Sequence, residues 1–457
     1  QKTQSTHKSA LGFFLRHLKS IEQKQLMLFL LQCIISAIKE RKIDMKRYGL
    51  IGEKLSHSFS KEIHETIADY NYDLIPLSKE EFHKFMKKKD FTAINVTIPY
   101  KKDVIPYLDE IDDAAEKIGA VNTIVNRDGK LIGFNTDYSG FLYMVKKHNV
   151  QMQGKKVLIL GNGGASAAIQ AAVMHEKAAS MVIVDILPGK DTISYEECFE
   201  KHLDAQIIIN TSPVGMYPKN NNAPIDLSLF HCLEAVLDVI YNPLHTKLCV
   251  QASDCGILNV NGLEMLIAQA KYAVEHFLDK TIDEQIIDSI YQKLYVDQAN
   301  LILIGMPSAG KTTIGKILAQ ELNREFIDMD EMIVENTGKS IPEIFDEKGE
   351  QGFRAAETQA AYAISKLNGK VISTGGGIIK YKANIDLLRQ NGIVIFIDRD
   401  LNKLITTDSN RPLSSSSEAV RKMYEERIDY YRLYADHIID NNKTIDGSVQ
   451  SILKKIN

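Results

Sequence analysis

Residues 305–313 read Gly-Met-Pro-Ser-Ala-Gly-Lys-Thr-Thr, the full pattern of a phosphate-binding Walker A loop. Apolar Leu301–Ile304 precedes it as a strand, and Ile314, Ile317, Leu318 and Leu322 behind it keep helical spacing. The loop therefore sits at a strand-to-helix turn, where unpaired backbone N–H groups and the positive helix end can hold phosphate oxygens. Gly305, Ser308, Ala309, Gly310 and Thr313 would form the cradle for a nucleoside triphosphate. Lys311 would reach the β/γ-phosphates, and the Thr312 hydroxyl would bind Mg2+.

That loop explains nothing of the 300 residues before it, which carry a turn of their own. Lys155–Leu160 is a buried-strand pattern that runs into Gly161-Asn162-Gly163-Gly164, followed by Ala165 and an Ala-rich helix to His175. This resembles a Rossmann dinucleotide loop, although no third glycine follows at the usual place. Asp185 comes roughly 20 residues later, where a carboxylate can accept from a ribose 2′-OH. Its other reading is a plain strand-end cap.

Such turns need alternating strands and helices to hold them. After Met45 strands are expected at Tyr48–Gly52, Ala93–Ile98, Met181–Asp185, Gln206–Asn210 and Ala235–Tyr241, with a hairpin at Asp128-Gly129. Helices are expected over Lys61–Tyr70, 263–278 and 283–294, and a polar joint near Val296–Asn300. Further strands fit Lys370–Ser373 and Ile393–Asp398. This alternation predicts an α/β fold with parallel sheets throughout. It comprises a two-lobed unit over 45–297 (one lobe 45–148 plus 262–297, a Rossmann-like cofactor lobe 149–261) and a P-loop domain with a parallel sheet over 298–457.

Composition agrees with ordinary globular protein: 44% hydrophobic and 25% charged over 457 residues, room for about three domains. A net charge of −4 gives no reason to expect nucleic acid or an anionic membrane as partner. Five scattered cysteines without a C-x-x-C pair make neither a disulfide framework nor a zinc site, and fit a reducing cytoplasm. Leu26–Ile38 falls short of the about 20 apolar residues that span a bilayer and lacks a small-residue cleavage site. Gln1 stands first while Met45 directly precedes a strand pattern, so residues 1–44 are expected to be an appendage. It would be either a partner-binding helix or sequence upstream of the start, and dispensable for function.

Six ordered blocks carry a family resemblance. They are Ser56-His57-Ser58-Phe59-Ser60; Asn95-Val96-Thr97-Ile98-Pro99-Tyr100-Lys101; Gly119–Thr123 with Asn135-Thr136-Asp137; Asn210–Met216; Asp238–Pro243; and Gly262–Gln269. In this order they resemble shikimate dehydrogenase over about residues 45–295. The resemblance implies Lys101 as acid/base and Asp137 as its paired carboxylate. It implies Ser58, Ser60, Thr97, Asn122, Tyr241 and Gln269 at a small cyclohexene carboxylate, and Gly161, Gly163, Gly164, Ala165, Asp185 and Gly262 at the cofactor. Reduction of a ring ketone requires a proton donor beside the hydride acceptor, which an amine held by a carboxylate can supply. The family default is NADP. Here Asp185-Ile186-Leu187-Pro188-Gly189-Lys190 replaces the usual arginine-bearing stretch, which leans toward NAD or a relaxed choice.

The C-terminal blocks are Asp328-Met329-Asp330 in a strand-like run, Gly352–Glu357, Gly375–Gly377, Arg411-Pro412-Leu413 and Arg427–Tyr431. With the Walker loop they resemble shikimate kinase across 299–457. Alternation along the strand would set Asp328 and Asp330 on one face. The resemblance makes Asp328 a magnesium partner through water and Asp330 the acceptor from the attacking hydroxyl. Arg354 and Arg427 would grip the substrate carboxylate, Gly376 and Gly377 would bring backbone amides to it, and Arg411 would close on ATP from a lid at Thr407–Ser417. The expected protein converts 3-dehydroshikimate to shikimate and phosphorylates it, with an oligomeric state that sequence leaves open. Its rivals are a quinate-type catabolic dehydrogenase fused to a kinase and a non-catalytic pathway sensor.

Overall fold

The computed structural model describes residues 47–55, 59–404 and 417–456. The expected appendage, Ser58 and Arg411 lie outside the described residues.

β1 (Tyr48–Gly52) is buried along its whole length, as befits a central strand covered on both faces. β2 (Tyr72–Pro76) and β3 (Ala93–Val96) pair with it in parallel, reached through the helices Ser60–Ile67 and Lys79–Lys88. After the short β4 (Glu110–Ile111), β5 (Thr123–Arg127) and β6 (Lys130–Phe134) form a hairpin on Asp128-Gly129. Their φ angles of 54° and 88° are the left-handed pair a two-residue turn needs. β5 also runs antiparallel to β3, so the sheet β2-β1-β3-β5-β6-β4 is mixed. This corrects the expectation of parallel sheets throughout. A two-residue loop can only return the chain in the opposite sense, and here the hairpin sits at the heart of the sheet.

The second sheet is parallel: β7 (Lys156–Leu160), β8 (Ser180–Val184), β9 (Ile207–Asn210), β10 (Ala235–Asp238) and β11 (Leu258–Val260), in the order β11-β10-β9-β7-β8. The direction of winding reverses beside β7, which opens a crevice at its carboxyl end between the loops after β7 and β9. The helices Thr136–Lys147 and Leu263–Leu278 connect the first sheet to the second. They approach so closely that a Cβ on Gly140 would stand 2.8 Å from Met265 O.

The third sheet is also parallel. Its strands are β12 (Asn300–Ile304), β13 (Phe326–Asp328), β14 (Val371–Ser373), β15 (Gly392–Asp398) and β16 (His437–Asp440), ordered β13-β14-β12-β15-β16. β2, β4, β11 and β16 escape the sequence pattern because they are two to five residues long and only partly buried. The polar joint Val296–Asn300 is not a linker. The helix Gln285–Gln298 reaches to within one residue of β12, and that residue, Ala299, is 1% exposed. Arg324 donates to the carbonyls of Val296 (2.6 Å) and Ala299 (3.0 Å), while Asn300 is held by Leu367 O and Lys370 N. Asn300 thus satisfies backbone groups rather than facing water, and the carbonyls of the segment are met by Arg324.

Beneath the first sheet, His64 is fully buried, stacked on Tyr72 at 4.0 Å and bonded through Nδ1 to Tyr70 Oη at 2.8 Å. Burial pushes its pKa down to about 3. A base whose folded pKa lies below its unfolded value leaves the unfolded chain to take up the proton first. Stability is therefore intact above pH 6.5 and declines as pH falls toward 3. The decline should reach about 2 kcal/mol by pH 5. Denaturant midpoints at pH 7 and pH 5 should separate less in His64→Phe than in wild type; equal separations would refute this role.

Candidate active sites

β3 ends at Val96, and the following turn carries Lys101 over the cleft between the first two sheets. There Lys101 Nζ donates to Asp137 Oδ2 at 2.5 Å, both side chains mostly buried. Asp137 lies in the first turn of Thr136–Lys147, a helix capped by Asn135, where the dipole favours a carboxylate. Its second oxygen accepts from Asn122 Nδ2 at 2.9 Å. The Asn122 amide is oriented in turn, because its oxygen accepts from Thr136 N (2.7 Å) and Thr123 Oγ1 (3.0 Å). A carboxylate engaged at both oxygens thus holds one amine at the wall of a cleft, an arrangement suited to delivering a proton.

The cleft measures about 390 Å³. Ser60, Thr97, Asn122, Gly262 and Gln269 line it from one lobe, Ala165, Val239 and Tyr241 from the other. Burial raises the Tyr241 phenol above its ordinary pKa. Gly262 is required there, since a Cβ would come within 2.1 Å of Val239 O. Two polar lining residues were missed by sequence reasoning, Lys54 and Asn95, besides apolar ones such as Leu50 and Met265. Asn95 could have been found, being two residues before Thr97 and hence on the same side of an extended chain. It accepts from Tyr72 Oη at 2.7 Å, a contact that only the sheet creates. Lys54 sits in a polar turn with nothing in its spacing to mark it.

The nucleotide turn leaves β7 at Gly161, whose φ of 95° suits glycine and whose N–H donates to Val184 O at 2.7 Å. Gly163 and Gly164 follow, Gly163 facing open space, and Ala165 opens into the helix Ser166–His175. Asp185, directly after β8, accepts from Asn162 N at 2.8 Å and Leu187 N at 2.9 Å. It braces the glycine turn after β7, a structural role beyond a plain strand-end cap.

In the third sheet β12 feeds the Walker loop, where Gly305, Ser308 and Gly310 have φ of 148°, 64° and 95°. Lys311 Nζ donates to the carbonyls of Gly305 and Met306, both at 2.9 Å. Asn441 Nδ2 clamps the loop through Ala309 O at 2.8 Å, a contact from the residue after β16 that the sequence does not signal. Thr312 Oγ1 donates to Asp328 Oδ2 at 2.9 Å. Asp328 and Asp330 do share a site, but not by strand alternation. β13 ends at Asp328, which caps the helix Met329–Thr337 by accepting from Asp330 N at 3.0 Å. The helix turn, not the pleat, sets Asp328 against Thr312 and Asp330 beside Gly375.

The Gly375–Gly377 turn is the centre of this second site. A Cβ on Gly375 would stand 3.0 Å from Asp330 Oδ1, one on Gly376 2.8 Å from Pro307, and one on Gly377 2.5 Å from the Arg354 guanidinium. Arg427 Nη1 donates to Gly376 O at 2.9 Å, as does Tyr431 Oη at 2.5 Å. Arg354 pairs with Glu357 at 2.8 Å and Glu350 at 3.2 Å. Glu357, which nothing in the Gly352–Glu357 spacing marks as functional, is 1% exposed, and burial raises its pKa while Arg354 opposes the rise. Arg354 Nε and Arg427 Nε are buried without hydrogen-bond partners, two donors available to a planar anion. Among the described residues no group of three His, Cys, Asp or Glu could hold a metal by itself, and no helix is long and apolar enough to cross a membrane.

Comparison with known proteins follows the same division. Residues 50–124 match the family model described as shikimate dehydrogenase substrate binding domain, and 307–457 match that of shikimate kinase. A shikimate dehydrogenase (NADP(+)) of Clostridium beijerinckii is 35% identical over 262 residues, covering 54% of this chain and 97% of that protein. One of Clostridium perfringens (strain SM101) is 38% identical over 274 residues, covering 55% and 98%. A solved chorismate mutase/shikimate 5-dehydrogenase fusion protein from Clostridium acetobutylicum superposes with a TM-score of 0.52 at 38% identity, over 55% of this chain and 97% of that one.

Proposed function

We infer the residue roles from one premise: the chain belongs to the shikimate dehydrogenase family and carries a shikimate kinase domain after it, so it is a bifunctional enzyme of the shikimate pathway. The first activity reduces 3-dehydroshikimate to shikimate; the second transfers a phosphoryl group from ATP to shikimate. The proposed units are 45–297 and 298–457, with 1–44 outside both. The observation that best supports the first assignment is the 2.5 Å Lys101–Asp137 pair at the cleft.

A bound nicotinamide supplies a hydride to the ring carbonyl carbon. Lys101 Nζ gives its proton to the oxygen that develops charge, and Asp137 holds the amine where that transfer is short. Ser60, Thr97, Asn122, Gln269 and Tyr241 orient the ring, Lys54 offers a positive charge to its carboxylate, and Ser58 is proposed as a further partner. The relatives named above carry NADP(+) in their names. For this chain we propose that NADH serves as well as NADPH, because the Asp185 carboxylate at the ribose edge opposes a 2′-phosphate. Asp185→Asn should then shift the ratio of kcat/KM toward NADPH by roughly tenfold, about 1.4 kcal/mol. Steady-state rates with both cofactors check this, and an unchanged ratio would refute it.

In the kinase unit phosphoryl transfer asks for positioning and charge neutralisation. Asp330 accepts the proton of the attacking hydroxyl, and Arg354 and Arg427 grip the substrate carboxylate with the donors left over from Glu357 and Gly376. Gly376 and Gly377 set the floor, and Arg411 closes on ATP. The oxygen donors Thr312 and Asp328 suit Mg2+, which would neutralise phosphate charge there. Neither rival reading is favoured: a sensor would have no use for a paired Lys101, Lys311 and Asp330. The direct test is a coupled assay of the purified chain with 3-dehydroshikimate, each nicotinamide cofactor and ATP. It should yield shikimate 3-phosphate; failure to reduce the ketone or to consume ATP refutes the corresponding half.

A further inference from the structure

The two catalytic units meet along a buried polar seam. Asn220, from the loop after β9, is 1% exposed and donates to Ser365 O (3.2 Å), Ser365 Oγ (3.1 Å) and Gln390 Oε1 (2.6 Å). Leu244 N donates to Asn391 Oδ1 at 2.8 Å, and His245 N to Gln390 O at 2.8 Å. Asn391 is itself tied to Ser365 O at 3.1 Å. At the solvent edge Asp254 pairs with Lys382 at 2.5 Å and Arg389 at 3.0 Å. Leu244 also belongs to the apolar core of the third sheet, which is therefore shared between the units. Buried backbone N–H groups that find partners only across a seam cannot leave it without a desolvation cost.

What gives the seam a role in chemistry is its position. Val239 and Tyr241 line the dehydrogenase cleft, and Leu244, three residues past Tyr241, is already bonded to the kinase. The intervening chain has little slack. Pro243 is buried, Asp238 holds Ile240 N (3.0 Å) and Thr246 Oγ1 (2.7 Å), and Thr246 caps the helix Lys247–Asp254 that ends on the ion pairs. We propose that Gln390 and Asn391 of the kinase unit, with Asn220 opposite them, are positioning residues for the dehydrogenase: they fix the Val239–Tyr241 wall against the ring substrate. The kinase is thus part of the scaffold of the other active site. This rests on the cleft being the dehydrogenase site as proposed above.

The test uses the full chain carrying Asn220→Ala or Asn391→Ala, with both activities measured separately. Residues coupling two sites through packed structure change the coupling by about 2- to 30-fold. The dehydrogenase KM for 3-dehydroshikimate should rise within that range in both variants, with its kcat and both kinase constants near wild type. An unchanged KM in both, or a parallel loss of the two activities, would overturn the proposal, since a merely structural seam does not discriminate between sites. Should either variant fail to fold, Asp254→Asn at the seam's edge carries the same reading: a selective rise in that KM supports the proposal, and an unchanged KM overturns it. Loss of reduction in Lys101→Met reports on the cleft assignment itself, so the two ideas fail separately.

Discussion

Lys101→Met is expected to lower dehydrogenase turnover by about 10²- to 10⁴-fold, the range for removing a positioned general acid, while ATP-dependent phosphorylation of shikimate continues at the wild-type rate. Methionine keeps the length and apolar stem but cannot donate. The effect should fall on kcat more than KM, because the proton is needed where charge develops and not for binding. Asp137 would lose its amine yet keep Asn122, so the fold around it should hold. Measuring both activities on one preparation separates loss of chemistry from loss of folding. A dehydrogenase kcat within a few-fold of wild type would end the assignment of Lys101.

Lys311→Met should silence the other half, with phosphorylation falling by about 10²- to 10³-fold, as for one electrostatic stabiliser of a transition state, and reduction of 3-dehydroshikimate unaffected. Lys311 is 7% exposed and its amine rests on two loop carbonyls, so a charge is stored beside the place where phosphate charge must be neutralised. Lys311→Arg should not rescue. A guanidinium is larger and planar, whereas the site holds a compact ammonium in a closed loop. Full kinase activity in either variant would place the phosphate cradle elsewhere.

The chemistry of both sites was legible because their residues cluster in short ordered blocks with fixed spacing. Strand, glycine turn and helix follow one another at Gly161–Ala165 and at Gly305–Thr313 just as the pattern reads. What surrounds those turns was harder to see. Asn441 clamps the Walker loop from just after β16 and Glu357 orients Arg354, yet each is an ordinary polar residue until a sheet or helix brings it there. Lys54 enters the cleft from a turn with no signature.

From sequence alone came the two chemistries, through the resemblance its ordered blocks carry, their order along the chain, and the two strand–turn–helix loops, because local hydrogen-bonding geometry demands glycines at set intervals there. Tertiary structure alone decided that the first sheet is mixed, that Asp330 arrives on a helix, and that the joint at Ala299 is a tight junction between two docked units. Those outcomes depend on which distant backbone groups find partners once water is excluded. Composition at Val296–Asn300 looks the same whether its polar atoms bond to water or to Arg324 and Leu367.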